Sequence, residues 1–244
     1  MQLNKFVARS GICSRRKAAE LVEAGQVHVD GRVVKNPAHR VLPENRVVYR
    51  KMVLKVVEKH TYIILHKPVG HITSCGDTHE RSTVMDLIPK QMAKGLFPVG
   101  RLDIDSRGLL LLTNDGDLAH QLATPRFQMK KCYRVTLHAP LREEFAEQLR
   151  VGIKLEDGEI ACDDLEVKSP CGTVVDVVLH SGKYRVIRRM FSKGGYHVKD
   201  LFRISFAGLS VRGLAAGQWR ALTSREIAYV YRKSQKAVKV DCCN

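Results

Sequence analysis

Apolar positions follow two different periods along this chain. In the first stretch they recur at helical spacing. Leu3, Phe6 and Val7 share one face of a short helix, and Ala18, Leu21 and Val22 form the stripe of a second, SRRKAAELVEAG. Ser14 is placed to cap that second helix and Gly25 to end it. VHVDGRVV then predicts a two-stranded hairpin, with Asp30-Gly31 where a tight turn demands left-handed backbone. NPAHRVLPENRVVY adds proline-marked turns and a further strand ending at Tyr49. KMVLKVVEKH, residues 51–60, reads equally as an extension of that strand or as a linker.

Beyond residue 60 the period shortens. TYIILHKP, KKCYRVTLHA, TVVDVVLHSG and VKDLFRISFAGLS predict strands, while GDLAHQLATPR and LREEFAEQLRVG predict helices. GKYRVIRRMFSKGG starts as a turn and runs into a basic helix stopped by Gly194-Gly195. TSREIAYVYRK is a last helix, capped by Thr223 or Ser224 with Glu226 in capping-box position. Helices interrupt the strands without βαβ regularity, so the expectation is an α+β fold with a mixed sheet. The domains expected are 1–60, a small module with its linker; 61–232, the main domain; and 233–244, a polar tail expected to be disordered.

Charge sharpens this division. The 244 residues include 41 Lys or Arg and 25 Asp or Glu, a net charge of +16. Residues 1–60 alone hold 13 basic against 5 acidic side chains, so a quarter of the length carries half the excess. A protein this basic is expected to meet a polyanion, with nucleic acid ahead of an acidic membrane surface. No 18-residue apolar run exists and the first residues show no apolar signal core, so neither a membrane span nor secretion is expected, and the location expected is cytoplasmic. The seven cysteines are scattered with no Cys-x-x-Cys pair, which suits reduced thiols rather than disulfides or zinc.

Candidate chemistry concentrates in VGRLDIDSRGLLLLTNDG, residues 99–116, where two carboxylates stand just ahead of the unbroken apolar run Leu109–Leu112. On a strand Asp103 and Asp105 would face one side, about 6–7 Å apart. They could act as the acid and nucleophile of a glycosidase, or hold a hard cation with Asp115. One could be a lone catalytic carboxylate beside a turn-forming partner, or both could be solvated loop groups. The Asp-Ser context of Asp105 favours local turn bonding.

Two stretches carry resemblances. NKFVARSGICSRRKAAELVEAGQVHVDGRVV resembles the S-four RNA-binding fold in its Gly-x-x-Ser-Arg-Arg, its Gly-x-Val-x-Val strand and its Asp-Gly turn, with Asn4 replacing a frequent Asp. The likeness implies that Lys5, Arg9, Arg15, Arg16 and Lys17 contact RNA phosphates. Three cations in a helix's first turn sit against its dipole; by themselves they fit either a solvated helix face or phosphate contact. GRLDIDSRGLLLLTNDG resembles the signature of pseudouridine synthases of the RsuA/RluB branch, which also carry an N-terminal S-four domain. The two resemblances lie about 60 residues apart in the expected order and together cover residues 1 to 232.

The second resemblance implies a catalytic domain with a mixed, mostly antiparallel sheet flanked by helices. Asp103 is implied as the catalytic carboxylate, Tyr133 of KKCYRVTL as the active-site tyrosine, and Arg188 of GKYRVIRRMF as the cation paired with Asp103. Arg101, Arg107, Arg126 and Arg189 are expected at phosphates or as loop-positioning groups. His66, Lys183 and Val186 depart from the usual Asn, Arg and Gln of the branch. Isomerising uridine breaks the N1 glycosidic bond, turns the base and rejoins it through C5, so neither cofactor nor metal is expected. The implied partner is ribosomal RNA. RSTVMDLIP and the Arg-Arg-Met-Phe helix look more like the large-subunit type, and the branch implies a monomer. The rival reading, a non-catalytic RNA-binding or ribosome-assembly protein, accounts for the charge but leaves GRLDIDS without a purpose.

Overall fold

The computed structural model describes residues 1–57, 59–77 and 79–240, without the side chains of 236–240. The chain forms two compact units. The first comprises Met1–Thr61 together with Lys90–Leu96. The sequence reading assigned 90–96 to the main domain, because nothing in the polar KQMAKGL signals a return to the first unit.

In the first unit, α1 (Leu3–Arg9) and α2 (Arg15–Glu23) lead into β1 (Val27–Val29), β2 (Arg32–Val33), β3 (Val47–Tyr49) and β4 (Met52–Val53). The Ser14 hydroxyl accepts from the Lys17 N–H at the start of α2, a cap worth about 1 kcal/mol. Asp30 and Gly31 both take positive φ, 50° and 80°, as the β1–β2 turn requires. The strands form one antiparallel sheet in the order β2-β1-β3-β4. Leu3, Val7, Ala18, Val22, Val27, Val47 and Leu54 are buried at its core. Residues 52–53 pair with β3, so the start of the ambiguous 51–60 stretch extends the sheet.

The second unit is built on a larger sheet. Its chain runs through β5 (Tyr62–Lys67), then, after the excursion containing α3 (Lys90–Ala93), through β6 (Phe97–Pro98), β7 (Arg107–Thr113), α4 (Gly116–Ala123) and β8 (Lys131–Leu137). There follow α5 (Glu143–Val151), the hairpin β9 (Ile153–Leu155) and β10 (Gly158–Ile160), β11 (Asp164–Val167), β12 (Val174–Leu179) and α6 (Val186–Lys193). The chain closes with β13 (Val198–Phe206), β14 (Leu209–Ser210), β15 (Trp219–Ala221) and α7 (Ser224–Val240). The strand order is β11-β12-β8-β13-β7-β5-β15, with β14 on β13 and β6 on β7. Every ladder is antiparallel except β13–β7, so the sheet is mixed and mostly antiparallel. The fold is α+β.

Two apolar clusters cover the sheet. α5 and α6 pack on β8, β11, β12 and β13 through Phe145, Leu149, Ile187, Met190 and Phe191. α4 and α7 pack on β5 and β7 through Leu118, Leu122 and Val230. Leu109, Leu110, Leu111 and Leu112 are all fully buried, which explains why β7 is written as a continuous apolar run rather than an alternating one.

The last helix departs from expectation. α7 continues to Val240, so residues 233–240 are helical rather than a disordered tail, and only 241–244 lie outside the described residues. REIAYVYRKSQKAVKV contains no Gly or Pro to stop the helix. Thr223 and Glu226 bond reciprocally in a capping box at its start. The Tyr231 hydroxyl donates to Asp115, and Tyr62 reaches the same carboxylate at 3.0 Å, so a buried cluster of two phenols and one carboxylate ties α7 to β5 and to the N-cap of α4.

The parallel junction depends on Gly108. Its φ is +114°, and a Cβ there would lie 2.3 Å from the Arg203 carbonyl oxygen and 2.7 Å from its nitrogen. Gly31, also at positive φ, has open space around it. Gly108→Ala is therefore expected to cost more than about 3 kcal/mol, from backbone strain plus a separated ladder, against about 1 kcal/mol for Gly31→Ala. Urea unfolding of the two variants checks this; equal midpoints would remove the close approach as a determinant of the fold.

Candidate active site

Residues 101–106 are not a strand. They form a turn-containing loop that delivers the chain into β7 at Arg107, beside β13. The Ser106 N–H bonds back to the Asp103 carbonyl at 3.1 Å, closing the turn. The loop is held from below by Lys67, the last residue of β5. Lys67 is fully buried, and its ammonium donates to three carbonyls: Ser106 at 2.6 Å, Asp103 at 3.0 Å and Pro68 at 3.0 Å. All three of its protons are used, so no carboxylate is needed to satisfy it. Burial pushes its pKa down to about 8, against the opposing pull of Asp105 and Asp103. In the sequence His-Lys-Pro reads as the end of a strand, which gives no sign of this role.

Asp103 is half-buried and faces a cleft of about 240 Å³. Tyr133 of β8 lines the same cleft, as do Arg101, Lys131, Lys183, Tyr184, Arg185 and Arg203. The guanidinium nearest Asp103 belongs to Arg185, at 3.8 Å, and not to Arg188 as expected. Arg185 also makes a bidentate pair with Asp105, at 2.8 and 3.2 Å, so one cation spans both carboxylates. Arg188 turns to Asp105 instead. Its Nε lies 3.3 Å from that carboxylate, and its two amino groups donate to the carbonyls of Asp105 and Val198. The local cause is the entry to α6. Arg185 is the residue before the helix and takes left-handed backbone, φ 45°, which turns its side chain onto the 103–105 loop, while Arg188 lies one turn further on.

Asp105 therefore does more than shape a turn. Burial would raise its pKa, but the hydrogen bonds from Arg185 and the field of Arg188 outweigh that and hold it below the usual carboxylate range. Lys131 is pushed down to about 8 by burial and by the neighbouring Arg203. Arg203 is 2% exposed, donates to the Leu109 carbonyl at 2.7 Å and keeps one amino group with no partner among the described residues, as does the buried Ser106 hydroxyl. The floor of the cleft is thus cationic, with buried donors left unpartnered among the described residues.

The other expected contacts divide. Arg101 and Arg126 are exposed. Arg107 is bound bidentately to Asp200 and lies over the Phe202 ring, and Arg189 is bound bidentately to Asp157, so both are engaged within the protein. In the first unit, Arg15, Arg16 and Lys17 are exposed at the start of α2, with Arg15 on Gln2 and Lys17 on Glu20, and Lys5 and Arg9 are half-buried on α1. No group of three or more His, Cys, Asp or Glu side chains placed to hold a metal occurs among the described residues.

The site is thus a carboxylate held in a cationic cleft beside an aromatic ring, at the parallel junction of a mixed sheet. The RNA pseudouridylate synthase family matches residues 61–193, and the S4 domain matches residues 1–47. The chain is 36% identical to ribosomal small subunit pseudouridine synthase A of Escherichia coli, over 94% of this chain and 100% of that one. It is 38% identical to an uncharacterised RNA pseudouridine synthase of Mycobacterium leprae, over 96% of this chain and 93% of that one. A crystal structure of a pseudouridylate synthase superposes with a TM-score of 0.68 at 28% identity, covering 94% of this chain and 99% of that one. This chain belongs to the pseudouridine synthase family, as an RNA pseudouridine synthase that carries an S4 domain at its N-terminal end. No helix among its described residues is long and apolar enough to cross a membrane.

The network around Asp103 yields a direct test. Lys67→Met keeps the volume but removes three donors from buried carbonyls. It is expected to lower stability by about 3 kcal/mol and kcat at least tenfold. Asp105→Asn loosens Arg185 without removing the Asp103 carboxylate, so kcat should fall by about 10- to 100-fold, against loss of all turnover for Asp103→Asn. Steady-state kinetics on the purified variants check the order; an Asp105→Asn enzyme as dead as Asp103→Asn would give the two carboxylates equal roles.

Proposed function

We propose that this chain isomerises a uridine of ribosomal RNA to pseudouridine, with Asp103 as the carboxylate that acts on the nucleotide. The observation carrying this reading is the placement of Asp103, half-buried at the cleft with Arg185 3.8 Å away and Tyr133 on the same wall. Arg185, rather than Arg188, pairs with Asp103 and aims it. The carboxylate then attacks the sugar, attacks the base or takes a proton from the sugar; all three routes start from the same ionised group. In each, the N1–C1′ bond breaks, a C5–C1′ bond forms, C5 loses its proton and N1 gains one. Tyr133 stacks on the detached base and keeps it from diffusing, and its hydroxyl is placed to help remove the C5 proton.

Residues 1–60 supply the grip. Lys5, Arg9, Arg15, Arg16 and Lys17 meet phosphates and read shape rather than sequence, with Arg101 and Arg126 adding contacts from 61–232. Ribosomal RNA is supported by the name of the E. coli relative, which also favours the small subunit. The large-subunit reading rests on RSTVMDLIP and the Arg-Arg-Met-Phe helix. The enzyme works as a monomer in the cytoplasm, without cofactor or metal.

Tritium release from C5-labelled uridine in small- and large-subunit RNA transcripts tests both levels. Wild type is expected to release label from one transcript, unaffected by chelator, and Asp103→Asn from neither. Release from the large-subunit transcript alone selects the second reading. Wild-type release no greater than that of the variant on both leaves ribosomal RNA without support.

A further inference from the structure

Tyr184 stands at the cleft that holds Asp103, and 72% of its surface is exposed. An exposed ring on a loose loop would mean little, but this loop is fastened at three successive residues. Lys183 donates to the Asp157 carbonyl at 2.8 Å. The carbonyl of Tyr184 itself accepts from Arg189 Nε at 2.8 Å. Arg185 is locked in its bidentate pair with Asp105. Between these anchors the Tyr184 phenol takes no hydrogen bond, and its ring stacks on no other aromatic, among the described residues.

The surroundings say what such a ring can meet. Arg101, Lys183 and Arg185 line the same cleft. Ile104, between the two aspartates, is 46% exposed, and its carbonyl accepts from the N–H of Gly70, next to the exposed Val69. Cations beside a bare aromatic face and exposed apolar groups match the mixed surface of a nucleobase on its phosphate backbone. Tyr133 is the more recessed of the two tyrosines at the cleft and is accounted for by the reacting base.

We propose that Tyr184 is a stacking platform for the nucleobase next to the target uridine, taking over the stacking contact which that base loses when the uridine is drawn out. This rests on the reading of the cleft as the site of uridine isomerisation. The backbone that carries the ring is held in advance, so less order remains to be imposed on binding. The contact offsets part of the cost of unstacking, and it is indifferent to which base presents its face.

The test uses the full chain and C5-tritiated small- and large-subunit RNA transcripts, with Tyr184 replaced by Phe, Trp, Leu or Ala. Phe and Trp should stay within about threefold of wild type in kcat/KM. Leu and Ala should both fall by about tenfold or more, while melting temperatures stay together because the side chain is exposed. The Leu arm separates stacking from simple apolar contact. Ala as active as wild type, Phe as damaged as Ala, or Leu as good as Phe each overturns the proposal while leaving the isomerase reading in place. A wild-type enzyme inactive on both transcripts removes the ribosomal reading, and this proposal with it.

Discussion

One backbone contact organises the catalytic unit: the parallel seam where Gly108 lies against Arg203 with no room for a side-chain carbon. Two helix-covered halves of the sheet meet there. β7 enters the seam directly from the 101–106 loop, so the position of the carboxylates is set by where the seam allows β7 to begin. β13 brings Arg203 to the other side of the same contact, and its guanidinium bonds the Leu109 carbonyl at 2.7 Å. A fault at this seam would move the loop and the cleft floor together.

Above the seam, electrostatics and burial act in opposite directions. Lys67, Lys131 and Arg203 are cations in or near the interior, and each bonds carbonyls rather than carboxylates. Desolvation penalises them, and the pKa values of both lysines fall to about 8. The carboxylates are left at the surface of this cationic bed, bridged by Arg185. Such a site holds Asp103 at the mouth of the cleft among cations, open to a substrate that is itself an anion.

Much of this was legible in the residues. The helix caps, the Asp30-Gly31 turn, the buried Leu109–Leu112 run and the cleft-facing Asp103 and Tyr133 follow from local chemistry and motif. What could not be read depends on distances that only the folded chain sets. The swap of Arg185 for Arg188 beside Asp103 hinges on a single left-handed residue, and no periodicity signals that. The engagement of Arg107 by Asp200 and of Arg189 by Asp157 joins residues far apart in sequence. Lys67 looked like the polar end of a strand, although its three bonds make it an internal brace. Polarity alone predicts a disordered tail, yet residues 233–240 run on as helix because no Gly or Pro breaks it.

The two phenols on Asp115 bear on how the molecule is made. β5 is the first strand of the catalytic sheet to leave the ribosome, yet its outer edge is closed by β15 and its Tyr62 hydroxyl meets Tyr231, both encoded near the other end. During synthesis that edge must wait, unpaired, for almost all of the remaining chain. The scaffold is therefore closed only after residues 219–221 and Tyr231 have been made, and a nascent fragment that already holds Asp103, Tyr133 and Arg185 would still lack those closing pieces.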